Sequence, residues 1–110
     1  MSQPVIICVD DQKSILKCLQ VELIETLGDE YIIETADSGE DALALFQGLL
    51  NENYDIPLII SDCIMPNMQG DELLMHVHNL SPKTFKILLT SGTNRADVVI
   101  NALNHANLYR

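Results

Sequence analysis

The sequence predicts an α/β domain built on a parallel, doubly wound sheet, and three observations carry that reading. Short, almost wholly apolar runs alternate four times with segments whose apolar residues recur at helical spacing. Two of the runs, Val5-Ile6-Ile7-Cys8-Val9 and Ile56-Pro57-Leu58-Ile59-Ile60-Ser61, lack the apolar-polar alternation of a half-exposed strand, as expected where both faces are covered. Both then deliver carboxylates, Asp10-Asp11 and Asp62, at their carboxyl ends. In open α/β sheets that edge is where ligands bind.

The elements follow in order. After the first strand, Ser14 is placed to cap a helix whose positions Ile15, Leu16, Leu19, Leu23 and Leu27 form one apolar face, and Gly28 stops it. Tyr31 to Ala36 is the second strand. Asp37-Ser38-Gly39-Glu40 turns the chain into a second helix carrying Ala42, Leu43, Leu45, Phe46, Leu49 and Leu50. A polar connection, Asn51 to Asp55, leads to the third strand. Beyond Asp62, Pro66 and Gly70 bracket a loop, and Asp71-Glu72 opens a third helix through Leu80 with negative charge at its favourable end. Ser81-Pro82 breaks that helix. Lys86-Ile87-Leu88-Leu89-Thr90 is the fourth strand, and Ser91-Gly92-Thr93-Asn94 leads to a helix containing Val98, Val99, Ala102, Leu103 and Ala106. The fourth strand is apolar on both faces and so belongs inside a sheet, yet only Leu108-Tyr109-Arg110 remains to lie beside it. A missing final strand and last helix are expected.

Composition excludes several classes. The 110 residues, 47% hydrophobic and 20% charged, suit one domain with a real core. A net charge of -10 argues against direct contact with nucleic acid or an anionic membrane. No apolar run approaches the ~20 residues of a membrane span. Met1-Ser2-Gln3-Pro4 lacks the features of a signal peptide. Cys8, Cys18 and Cys63 are odd in number and lack C-x-x-C spacing, which suits small buried thiols in a reducing cytoplasm. There is no internal repeat and no low-complexity segment.

Three aspartates gathered at one sheet edge repel one another unless protonated or neutralised by a cation. Mg²⁺ is the natural candidate, being a hard ion that takes carboxylates, waters and a phosphate oxygen in octahedral geometry. The constellation therefore reads as a metal-dependent phosphoryl site. An Asp-Asp pair after a strand is by itself commonly a turn or helix cap. The pairing of Asp10-Asp11 with Asp62 and Thr90 at matching strand ends shifts the reading to function. Lys13 reads equally well as a solvated helix-entry charge. His76 and His78, two apart on a helix, point to different sides and form no metal pair, and His105 suits a helix end.

Val9-Asp10-Asp11, then Ser61-Asp62-Cys63-Ile64-Met65-Pro66 with Gly70 beyond, then Leu89-Thr90-Ser91-Gly92, closely resemble the receiver domain of bacterial two-component response regulators. The resemblance covers essentially the whole chain, so residues 1–110 read as one receiver domain. It implies a flavodoxin-like fold with strand order 2-1-3-4 and a stub of the fifth strand. It further implies that Asp62 is the phosphoacceptor, taking phosphate from a sensor histidine kinase or phosphotransfer protein. Asp10, Asp11, Asp62 and the main-chain carbonyl of Ile64 would hold Mg²⁺. Thr90 would contact the phosphoryl group and switch, and the phosphorylated state would pass to a downstream effector domain or protein. Such a chain is a cytoplasmic signalling phosphoacceptor rather than an enzyme, with no nucleic acid or membrane as direct partner.

The sequence departs from the family at one place. Receivers carry a lysine at the end of the fifth strand, usually followed by proline, and none follows Leu108-Tyr109-Arg110. A C-terminally incomplete domain is the expectation, with a fourth-strand edge that invites a homodimer. The alternative is a pseudo-receiver, an interaction module that no longer turns over phosphate. An aspartate-nucleophile phosphatase also forms an acyl phosphate, but such enzymes usually have a second aspartate where this chain has Ile64. No G-x-G-x-x-G follows the first strand, which argues against dinucleotide binding.

Overall fold

The computed structural model describes residues 3–90. Along them run β1 (Val5–Val9), α1 (Lys13–Leu27), a 3₁₀ turn (Gly28–Glu30), β2 (Ile32–Ala36), α2 (Gly39–Asn51), β3 (Leu58–Asp62), α3 (Gly70–Leu80) and β4 (Phe85–Leu89). The strands pair in parallel in the order β2-β1-β3-β4, as the sequence predicts. The helix expected over 98–106, with His105, and the fifth-strand stub at 108–110 lie outside the described residues.

The apolar runs of β1 and β3 become central strands because both of their faces are covered. No residue of β1 is more than 1% exposed. On one side Ile6, Cys8, Leu58 and Ile60 pack against Leu16, Leu19 and Leu23 of α1. On the other, Val5, Ile7, Val9 and Ile59 pack against Ala42 and Phe46 of α2 and Leu73 and Val77 of α3. This three-layer arrangement leaves the carboxyl ends of β1 and β3 side by side, with Val9 in register with Ser61.

Two local expectations change. α1 is not capped by Ser14: Gln12 occupies the cap position without a side-chain bond, and the preceding turn is closed by Asp10, whose Oδ1 accepts from the Gln12 amide at 2.9 Å. Asp10 sits two residues before that amide, the geometry of an Asx turn, and the helix begins at Lys13, so Ser14 lies within its first turn and not at the cap. β4, expected to be covered on both faces, buries Ile87 (7% exposed) and Leu89 (1%) toward the α1 side, while Leu88 on the opposite side is 36% exposed. Its start is pinned where the Thr84 hydroxyl donates to the Ile56 carbonyl at 2.7 Å and the Phe85 amide to that of Pro57 at 2.8 Å.

Candidate functional site

Backbone pairing carries the acidic residues to one point. β1 runs on past Val9, with the Asp10 amide donating to the Ala36 carbonyl at 3.2 Å, so Asp10 is held inside the sheet edge and is only 1% exposed. Asp62 is the last residue of β3. Asp10, Asp11 and Asp62 each present a carboxylate oxygen such that all three lie within 4.8 Å of one another. Burial is graded across the cluster: Asp10 is buried, Asp62 half-buried and Asp11 exposed. Like charges so close are held together only against their mutual repulsion, and an all-oxygen donor set suits a hard divalent cation such as Mg²⁺.

The loop after Asp62 is wound tightly onto the strand ends. The Cys63 amide donates to the Leu89 carbonyl at 2.9 Å, extending the pairing with β4, and the Gly70 amide returns to the Cys63 carbonyl at 3.0 Å. Between them Asn67 takes a left-handed φ of 68°, which asparagine tolerates better than most residues. Gly70 is the critical contact. A Cβ at that position would stand 2.0 Å from the Asp62 carbonyl oxygen and 2.8 Å from Leu88 Cδ1, so only glycine lets α3 begin against the strand end. The sequence marks Gly70 as shaping the loop, but not this close approach. A second packing contact is also invisible in sequence: the Met68 side chain lies over Gly39, where a Cβ would meet it at 2.8 Å. It ties the loop to the start of α2.

Thr90 follows β4 directly, and since Asp62 pairs with Leu89 it stands one step beyond the aspartate's partner. Ile64 is 67% exposed in the loop that follows β3. Lys13 is the first residue of α1. His76 lies 3.8 Å from Glu72, four residues earlier on the exposed face of α3, and joins no metal-ligating cluster among the described residues. The cysteines differ from expectation: Cys8 alone is buried, whereas Cys18 is exposed and Cys63 half-buried. Burial in the core pushes the Cys8 thiol from an ordinary 9.0 up to about 12. Cys18 falls on the outer face of α1, a position the apolar periodicity of that helix does not require to be inside.

The family model of the response regulator receiver domain matches residues 6–108. The hydrogenase transcriptional regulatory protein HoxA of Cupriavidus necator is 29% identical over 108 residues, covering 98% of this chain and 20% of its own length. The Regulator of RpoS of Escherichia coli is 29% identical over 101 residues, covering 89% of this chain and 28% of its own. The chain thus spans between a fifth and a third of these curated relatives. Among solved structures, the signal receiver domain of an HD domain-containing protein from Pseudomonas fluorescens is 32% identical with a TM-score of 0.66, covering 100% of this chain and 74% of its own. Among the described residues no helix is long and apolar enough to cross a membrane.

Proposed function

Because the chain belongs to the response regulator receiver family, we propose that it accepts a phosphoryl group on Asp62 from a sensor histidine kinase or phosphotransfer protein and relays that state to an output domain or protein. The observation that supports this most is the convergence of three carboxylates within 4.8 Å at the ends of β1 and β3. In this reading Asp10, Asp11, Asp62 and the Ile64 carbonyl hold Mg²⁺. The ion, when bound, neutralises charge on the transferring group. Asp62 supplies the attacking oxygen and, after transfer, carries the phosphoryl group as an acyl phosphate, while the donor's histidine leaves. A loose phosphoryl transition state asks for placement and charge balance rather than proton abstraction. Gly70 and the Cys63 amide place Asp62; Asp10 orients the turn into α1. Thr90 donates its hydroxyl to a phosphoryl oxygen, and its movement biases a two-state surface. The protein is then a signalling phosphoacceptor and not an enzyme acting on a separate substrate.

Intact-mass analysis tests this directly. With acetyl phosphate and Mg²⁺ the protein should gain one phosphoryl mass, and Asp62→Asn should abolish the gain. Labelling that persists in Asp62→Asn moves the role to another carboxylate, and no labelling by either acetyl phosphate or a phosphorylated histidine donor favours the pseudo-receiver.

A further inference from the structure

Among the described residues the sheet ends on β2, whose outer edge pairs with no strand. Inward, the Ile32 amide donates to the Pro4 carbonyl at 2.9 Å and the Ala36 carbonyl accepts from the Asp10 amide at 3.2 Å. The β1-β2 register runs unbroken between them, so Ile32, Glu34 and Ala36 bond toward β1 while Ile33 and Thr35 turn their N–H and C=O groups outward. Among the described residues no strand pairs with those outward groups. The Ile33 carbonyl is approached by the Gln20 side-chain amide at 3.5 Å, the limit of a hydrogen bond, and Thr35 is exposed.

A groove of 510 Å³ lies over this edge. Its floor is β2 and the following turn from Glu34 to Asp37, one wall is α1 with Lys13 and Lys17, and the other is α2 with Asp41. Four floor residues span about 10 Å at strand rise, room for a short extended segment. The walls differ in charge, and they stand on opposite faces of the sheet. Ile33 packs with the α1 cluster, and Ile32 packs with the α2 cluster. An added strand would therefore send alternate side chains to the lysines of α1 and to Glu34 and Asp41 on the α2 side. Among the described residues neither lysine makes an ion pair.

We propose that the outer edge of β2 docks an extended segment of a partner protein as an additional strand, with acidic side chains on the face toward α1 and basic side chains on the face toward α2. Main-chain bonds to Ile33 and Thr35 supply attachment, and the two charged walls supply selection. A second copy of this chain fits poorly. A two-fold pairing of β2 with β2 sets the lysine walls on the same side of the joined sheet and brings Glu34 toward its equivalent, like against like.

Two capped octapeptides of identical composition test the proposal, one alternating Glu and Lys and one with the Glu and Lys residues grouped. The alternating peptide at saturation should slow hydrogen exchange at the Ile33 and Thr35 amides by at least about tenfold relative to the free protein, leaving Ile32 and Glu34 unchanged. The grouped peptide should not. Lys17→Glu cancels the positive charge of the α1 wall, setting a carboxylate against Lys13, and should remove the preference at unchanged thermal stability; Thr35→Pro, which deletes an outward donor, should abolish protection. Equal protection by both peptides, or none by the alternating one, overturns the site. Sedimentation of the peptide-free protein as a dimer that Thr35→Pro dissociates overturns the assignment of a foreign partner.

Discussion

At Gly70 the demand for glycine comes from space and not from backbone angle, because a Cβ there would sit 2.0 Å from the Asp62 carbonyl oxygen. Gly70→Ala must push the start of α3 off the strand end. Overpacking of this kind costs about 1–3 kcal/mol, and displacement of the proposed phosphoacceptor by an ångström slows a positioned reaction by about 10²-fold. Urea unfolding together with acetyl phosphate labelling measures both; a variant with wild-type values in each would remove Gly70 as a positioning residue. Cys8 makes a different prediction. Its thiol is neutral in the fold up to about pH 12 but ionises near 9.0 once unfolded, so its contribution is fully present below pH 9 and declines as pH rises from there toward 12. Thermal unfolding midpoints should fall over that window, and Cys8→Ala should flatten the fall. Under native conditions Cys18 should be alkylated rapidly and Cys8 only on unfolding.

Among the elements, the helices show which boundaries a local pattern can settle. α2 begins as its sequence predicts, with the Ser38 hydroxyl accepting from the Asp41 amide at 3.1 Å and Glu40 and Asp41 in the first turn. Ser38→Ala should lower stability by about 1 kcal/mol, read as a shift in the urea midpoint at constant slope. α1 ends at Gly28 with φ 69°, again as the sequence implies. Its start is different, because the turn before it is closed by a carboxylate of the site. The entry to α1 is thereby coupled to the acidic cluster, a link that helix signals around Ser14 do not contain.

Over the whole molecule, a net charge of -10 is carried by a chain whose strand ends draw three carboxylates together. A cation that binds only the folded arrangement stabilises it by mass action, about 1.4 kcal/mol at a tenfold excess over its Kd. Millimolar Mg²⁺ should therefore raise the unfolding temperature, and Asp11→Asn should remove most of the rise. An unfolding temperature indifferent to Mg²⁺ in the unmodified protein would show that the cluster is not a cation site.

The order of strands and helices, the parallel sheet and the identity of Asp10, Asp11, Asp62 and Thr90 as strand-end groups were legible in the sequence. Each rests on short-range patterns: apolar runs, helical spacing, and polar residues where a run stops. What only the tertiary structure decided are distances between segments far apart in the chain. The burial of Asp10 against the solvent exposure of Asp11, the approach of Gly70 to Asp62, Met68 over Gly39, the different exposure of three cysteines and the open outer edge of β2 all depend on which backbone lies alongside which. Side-chain periodicity tells a residue which face it occupies; it does not say how closely the next element is packed there, and that closeness decides burial, steric exclusion and charge balance.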